Sequence, residues 1–169
     1  MEMTKTISYP YIPVGEKILY VDVDNKFMKA ARKFALKNSL DKTMPTGSTI
    51  VLGGKIVGQG ANGSDYHDNH GCERVRQIIP TGQGYELCEG CHPKNHSEPK
   101  AVKQALENAN KENLKHAELY LWGHWWVCDL CWNAVKSVGI RKVYLQTGSQ
   151  IHFNKSHPKN IVGTQYNDN

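Results

Sequence analysis

Cys91-His92-Pro93-Lys94-Asn95-His96-Ser97-Glu98 and, further along, Trp125-Trp126-Val127-Cys128-Asp129-Leu130-Cys131 decide how this chain folds. Each fragment reads as the start of a helix. After His96-Ser97-Glu98 comes Pro99, at home in a first helical turn, where a missing N–H costs nothing. Ala101, Val102, Ala105, Leu106 and Ala109 then recur at helical spacing, which predicts a helix from Ser97 to about Asn110. The second fragment opens a helix from Cys128 to Val138, closed by Gly139 as its C-cap. One imidazole and two thiolates carried on two helix starts can converge on one metal. Such a Cys₂His set leaves the fourth tetrahedral position of a zinc ion open, as in catalytic rather than structural sites. Glu98 sits beside His96, at the positive end of a helix dipole, where it can handle the proton of a metal-bound water. The competing reading is a solvated loop histidine and a structural cysteine pair. It fits less well, because Cys-x-x-Cys is common alone but its pairing with an upstream His-x-Glu is not.

In order and separation these residues resemble the zinc-dependent cytidine/deoxycytidylate deaminase superfamily, whose signature is H-x-E followed by P-C-x-x-C. Within it, the deoxycytidylate deaminases look closest. One departure is plain: Val127 stands where the family has proline. The resemblance implies an α/β fold, a three-layer α/β/α sandwich with a mixed β-sheet. It implies one catalytic zinc on His96, Cys128 and Cys131. Zinc-bound hydroxide then attacks C4 of cytosine, with Glu98 as the general acid and base that shuttles protons to the ring nitrogen and to the departing amine. It further implies substrate-binding roles for Asn62, in the Gly60-Ala61-Asn62-Gly63 turn, for the backbone at Ser97, and for Trp125, three residues before Cys128. Trp122 and Trp132 are expected in the core, and one of Trp125 and Trp126 at the pocket.

Working outward, Phe27, Met28, Ala31, Phe34, Ala35 and Asn38 lie at helical spacing behind Asp24 or Asn25 as N-cap, so a helix is expected from about 25 to 38. Ser48–Leu52 and Lys55–Gly58, separated by Gly53-Gly54, read as a hairpin with a two-residue turn. Leu119–Trp122 and Lys142–Leu145 read as strands. With a helix between them, the crossover rule makes them a parallel pair. Lys17–Val21 is a short strand or an arm, and Ser8–Pro13 should be extended, since each proline disfavours helix in its predecessor.

Residues 64–95 form a polar, glycine-rich insertion holding His67, His70, Cys72, Cys88, Cys91 and His92. Cys72, Cys88 and Cys91 with one histidine, taken as His92, can make a second, closed Cys₃His zinc site. The expected division is an N-terminal extension over 1–24, a deaminase domain over 25–146 and a polar tail over 147–169 with no clear amphipathic helix.

At 169 residues the chain has room for one domain with a real core. Five cysteines, an odd number clustered with histidines, fit metal binding in a reducing compartment better than a disulfide framework. No apolar run is long enough to span a membrane. Met1-Glu2-Met3-Thr4-Lys5 has no apolar signal region, so a cytoplasmic protein with no membrane partner is expected. The net charge of +5 suits an anionic substrate, but the basic residues form no stripe of the kind a polynucleotide binder needs. The leading expectation is hydrolysis of dCMP to dUMP by a homo-oligomer, the oligomer being implied by the resemblance. The alternatives are a cytidine deaminase acting on single-stranded DNA or RNA, and a tRNA adenosine or free-base deaminase. Arg74, Arg76 and His124 are the candidates to meet a phosphate.

Overall fold

The computed structural model describes residues 10–80 and 83–167. The extended reading of Ser8 and Tyr9 lies outside the described residues. Five strands, β1 (Lys17–Val21), β2 (Gly47–Leu52), β3 (Lys55–Ala61), β4 (Glu118–Trp122) and β5 (Lys142–Gln146), form one sheet in the order β1-β5-β4-β2-β3. β1, β5 and β4 are parallel, and β2 pairs antiparallel with both β4 and β3. The sheet is therefore mixed. The hairpin turn has positive φ at both Gly53 (58°) and Gly54 (79°), the backbone that a two-residue turn between twisted strands requires.

Side chains alternate along each strand, and the two faces build two cores. Ile50, Leu119, Leu121, Val143 and Leu145 point to one side. There they meet Ala101, Val102 and Ala105 of α4 (Ser97–Asn108) and Cys131, Trp132 and Val135 of α5 (Asp129–Ser137). Val51, Tyr120 and Trp122 point to the other side, onto Met28, Ala31 and Ala35 of α1 (Lys26–Asn38). This is the expected α/β/α sandwich. Asn25 caps α1: its Oδ1 accepts from Phe27 N (3.0 Å) and Met28 N (3.1 Å), satisfying two amides that a helix start leaves unpaired.

Between β3 and α4 the insertion forms two short helices, α2 (Tyr66–His70) and α3 (Glu73–Arg76), and two 3₁₀ turns, Tyr85–Leu87 and Pro93–Asn95. Neither α2 nor α3 buries any residue. After β5 the described residues make one further short helix, α6 (Ser149–His152). The polar tail nevertheless folds back on the body. Phe153 and Gln165 are each 1% exposed, and Gln165 Nε2 donates to Thr43 O (3.4 Å). Phe153 packs edge-on against Trp122 (5.3 Å).

Candidate active site and a neighbouring metal-ligand cluster

Two helix starts meet at one end of the sheet. His96 occupies the N-cap of α4 and Cys128 the N-cap of α5, where its sulfur accepts from Cys131 N (3.4 Å). The Cβ-less positions Gly58 and Gly60 let α4 lie directly on β3. A Cβ at Gly60 would stand 2.2 Å from Ser97 O, and one at Gly58 would stand 2.3 Å from Ala101 O. That close approach sets the height of Ser97 and Glu98 over the sheet. The buried Ser97 hydroxyl is hydrogen-bonded to Ser48 Oγ of β2 (2.7 Å) and donates to Glu98 Oε2 (3.1 Å).

Nε2 of His96 lies 3.1 Å from the carbonyl oxygen of Cys91. A carbonyl only accepts, so Nε2 carries a ring proton, and Nδ1 is the nitrogen that can offer its lone pair to a metal once its own proton leaves. Nδ1 faces Cys131 Sγ at 3.2 Å and Cys128 Sγ at 3.7 Å. A tetrahedral zinc ion with ordinary Zn–S and Zn–N bonds holds sulfur and nitrogen about 3.6 Å apart. The donor set therefore fits the ion in spacing, tautomer and chemistry. Among the described residues, His96, Cys128 and Cys131 form one of two clusters whose ligand atoms lie within 4.8 Å of one another.

The electrostatics follow from burial. Glu98 is 5% exposed, and burial raises its carboxyl pKa, against the pull of His96. Burial alone would lower the His96 imidazole, but its hydrogen bond to Cys128 and the charges of Glu98 and Cys128 turn the net shift upward. The thiol of Cys131 donates to Cys128 and, with His96, holds Cys128 down to about 5 against burial. Cys131 in turn is pushed well above the ordinary thiol range by that same hydrogen bond and by burial. The metal-free pair thus shares one proton, which an entering cation must displace.

Above the cluster opens a cavity whose walls include Asn62, Ser97, Glu98, His96, Trp126 and Lys155. Asn62 Oδ1 accepts from Ser39 Oγ (2.6 Å) and Thr46 N (2.8 Å), and Nδ2 donates to Met44 O (2.9 Å). The second Nδ2 proton has no partner among the described residues. The cavity is walled by Trp126, while Trp125 packs against the α1-side core and borders a smaller recess with Phe153. His124 decides this: its Nδ1 accepts from both Trp125 N (3.0 Å) and Trp126 N (3.3 Å) and so sets the direction of the loop. With its acceptor committed, and its pKa driven down to about 3 by burial and the His96 charge, His124 is a neutral brace of the loop where that loop borders the cavity. Trp122 and Trp132 are core residues, as expected.

The two insertion arginines are also structural. Arg74 Nε and NH2 donate to Gln83 O (2.8 Å) and Pro80 O (3.0 Å), and Arg76 bonds His70 O and pairs with Glu73. Two cationic side chains border the cavity, Arg74, whose guanidinium is tied to backbone carbonyls and to Cys91 Sγ, and Lys155, from the tail. Nothing in the tail's pattern marked it.

His67, Cys72, Cys88 and Cys91 form the second cluster. Its histidine is His67, not His92. The His92 ring is used locally, capping the Pro93–Asn95 turn by accepting from Lys94 N (3.1 Å). His67 Nε2 lies 3.3 Å from Cys88 Sγ and 3.6 Å from Cys91 Sγ, and Cys72 and Cys91 sulfurs are 3.6 Å apart. These match the roughly 3.6 Å (S to N) and 3.8 Å (S to S) edges of a zinc tetrahedron.

An open Cys₂His set with a carboxyl group beside its histidine defines, as a class, the zinc-dependent hydrolytic deaminases. The chain belongs to the family described as the cytidine and deoxycytidylate deaminase zinc-binding region, whose model matches residues 21–147. No curated protein sequence matches it. Among solved structures it is similar to a guanine deaminase from Bacillus subtilis, at 19% identity and TM-score 0.46, over 72% of this chain and 62% of that one. The chain thus spans less than two thirds of that relative. It is also similar to a dCMP deaminase from the cyanophage S-TIM5, at 22% identity and TM-score 0.44, over 73% of this chain and 82% of that one. A deaminase that edits transfer RNA at the wobble position matches at 23% identity and TM-score 0.44, over 71% of this chain and 70% of that one. No helix among the described residues is long and apolar enough to cross a membrane.

Proposed function

We propose that the protein hydrolyses the exocyclic amine of a cytosine nucleotide, converting dCMP to dUMP. The observation that carries this reading is the buried Glu98 carboxyl beside the open His96–Cys128–Cys131 donor set at the floor of a cavity that Lys155 borders. A zinc ion on those three ligands supplies a water activated near neutral pH. Glu98 takes the water proton on a carboxylate oxygen and hands it to N3 of the ring, which makes C4 electrophilic. The water oxygen bonds to C4, and the same carboxyl carries the second water proton to the exocyclic amine, which leaves as ammonia as the C4–N bond breaks. Burial favours the protonated intermediate state of this shuttle, and the Ser97 hydroxyl steadies one oxygen. The free Nδ2 proton of Asn62 addresses the sugar, Trp126 flanks the base, and Lys155 meets the phosphate. The second cluster, His67 with Cys72, Cys88 and Cys91, holds a closed, structural metal in this reading.

The test is to offer zinc-loaded protein equal concentrations of deoxycytidine and deoxycytidylate and follow the loss of cytosine absorbance. Turnover of the nucleotide alone supports the proposal. Turnover of the nucleoside alone, or silence on both with turnover of single-stranded DNA, RNA or a purine base, refutes the substrate and leaves the zinc chemistry standing.

A further inference from the structure

Cys91 links the two clusters. Its sulfur faces His67 and Cys72 (3.6 Å each), and its carbonyl oxygen accepts from Nε2 of His96 (3.1 Å). We propose that the metal held by His67, Cys72, Cys88 and Cys91 is a clamp that sets the affinity of the adjacent His96–Cys128–Cys131 site. This rests on both clusters holding metal and not on which base is deaminated.

Both outer contacts that orient the His96 ring come from the insertion. One is the Cys91 carbonyl. The other is Tyr85, which meets the ring edge-on at 5.1 Å and 89°. Tyr85 is in turn covered by the Arg74 guanidinium, 4.5 Å from its centroid, and Arg74 NH1 donates to Cys91 Sγ (3.4 Å). Sulfur, guanidinium, phenol and imidazole thus form a closed chain from one cluster to the other. The insertion has little else to hold it, since α2 and α3 bury nothing and only isolated residues such as Cys88 and Pro93 are buried. Beside the arginine and tyrosine hydrogen bonds at its surface, the ligand cluster is the partly buried element that ties its two halves together. Gly90 is fitted to that cluster: a Cβ there would stand 2.5 Å from His67 Nε2. Bare backbone at that position lets the imidazole reach the sulfurs.

A ligand histidine whose second nitrogen loses its partner typically costs a metal site about 10–100-fold in affinity. The experiment uses the full chain, with zinc content measured by elemental analysis and affinity by competition with chelators of graded strength. Wild type is expected to hold two zinc ions. Cys88→Ser, whose sulfur does not touch His96, is expected to hold one, bound about 10–100-fold more weakly than the corresponding ion in wild type. Binding coupling is reciprocal, so Cys128→Ser should weaken the closed site by the same factor. That second variant decides the matter if Cys88→Ser does not fold. The inference is overturned if wild type holds only one zinc. It is overturned equally if emptying one site leaves the affinity of the other within about twofold, well below the expected effect. Loss of deamination with both ions in place and coupled would count against the deaminase reading and leave the clamp intact.

Discussion

Replacing Gly60 with alanine should damage catalysis more than it damages the fold. The new Cβ would stand 2.2 Å from Ser97 O, 2.6 Å from Ala101 N and 2.8 Å from Lys100 Cβ. Ordinary contact needs about 3.5 Å, and two of these three neighbours are backbone atoms that no rotamer change can move. The first turn of α4 must therefore lift from β3 by roughly 1 Å, carrying His96, Ser97 and Glu98 with it. A displacement of about that size can cost about 10²-fold in rate, against an overpacking cost of about 1–3 kcal/mol in stability. Gly58→Ala is the control. Its Cβ would meet Ala101 O at 2.3 Å, Ala105 N at 2.8 Å and Ala105 Cβ at 2.9 Å, an equal crowding applied further along the helix. At about 1.5 Å rise per residue, Ala101 and Ala105 lie roughly 4.5 and 10 Å from Glu98 along the helix axis, beyond the turn that carries His96, Ser97 and Glu98. Melting temperature should fall comparably in both variants, while kcat should fall mainly in Gly60→Ala. The assay pairs thermal melts with kcat and KM of zinc-loaded protein on the cytosine substrate it turns over. Equal kcat losses in the two variants, or full kcat in a destabilised Gly60→Ala, would refute the claim that this glycine sets the position of Glu98.

Glu98→Gln keeps the shape and an acceptor for Ser97 but cannot move protons. It should retain its zinc and lose about 10²–10⁴-fold in kcat, and near-normal turnover would sink the mechanism. Trp126→Ala should raise KM, whereas Trp125→Ala should lower the melting temperature with KM little changed; the reverse pattern would mean the cavity is walled otherwise. Lys155→Gln should raise KM for a nucleotide and leave that for a nucleoside unchanged, as measured side by side. His124, with a folded pKa of about 3, lies below its unfolded value of about 6.5. Its neutral ring contributes stability that is present above that value and is lost as pH falls towards 3. From pH 7 to pH 5 this comes to at most about 2 kcal/mol, because one edge of the ring stays accessible. Denaturant titrations of His124→Asn, which keeps an acceptor for the loop amides, should show a correspondingly flatter pH dependence. An unchanged slope would mean that other groups carry the acid sensitivity.

The parts of this fold that were legible in the sequence are those where a local rule and a long-range contact demand the same residue. Asn25 caps α1 because a short acceptor is needed before Phe27 and Met28, and the strand faces were readable because the same alternation serves pairing and burial. Gly53-Gly54 was readable because the hairpin turn tolerates little else. The ligand set on α4 and α5 was readable for a related reason. An N-cap is both a place where a helix start wants a polar acceptor and a place where a dipole favours thiolate and carboxylate.

Where no period constrains the chain, two chemically equal candidates competed and distance in sequence could not choose between them. His92 lies next to Cys91, yet adjacency disqualifies it as a ligand partner, because its ring is within reach of Lys94 N and caps the turn. His67 is remote in sequence but arrives through α2 over the bare Gly90. The same logic separates Trp125 from Trp126. Their orientation depends on Gly123, at φ +95° with its Cβ position 2.2 Å from Pro45 O, and on the His124 acceptor, neither of which is a pattern in the loop itself. Lys155 was invisible for the converse reason. The tail that carries it is anchored by Phe153 on Trp122 and by Gln165 near Thr43, contacts that no local pattern announces. A site built on capped helices can be read from spacing, while the walls that choose its substrate depend on which of several equal side chains the rest of the fold leaves free.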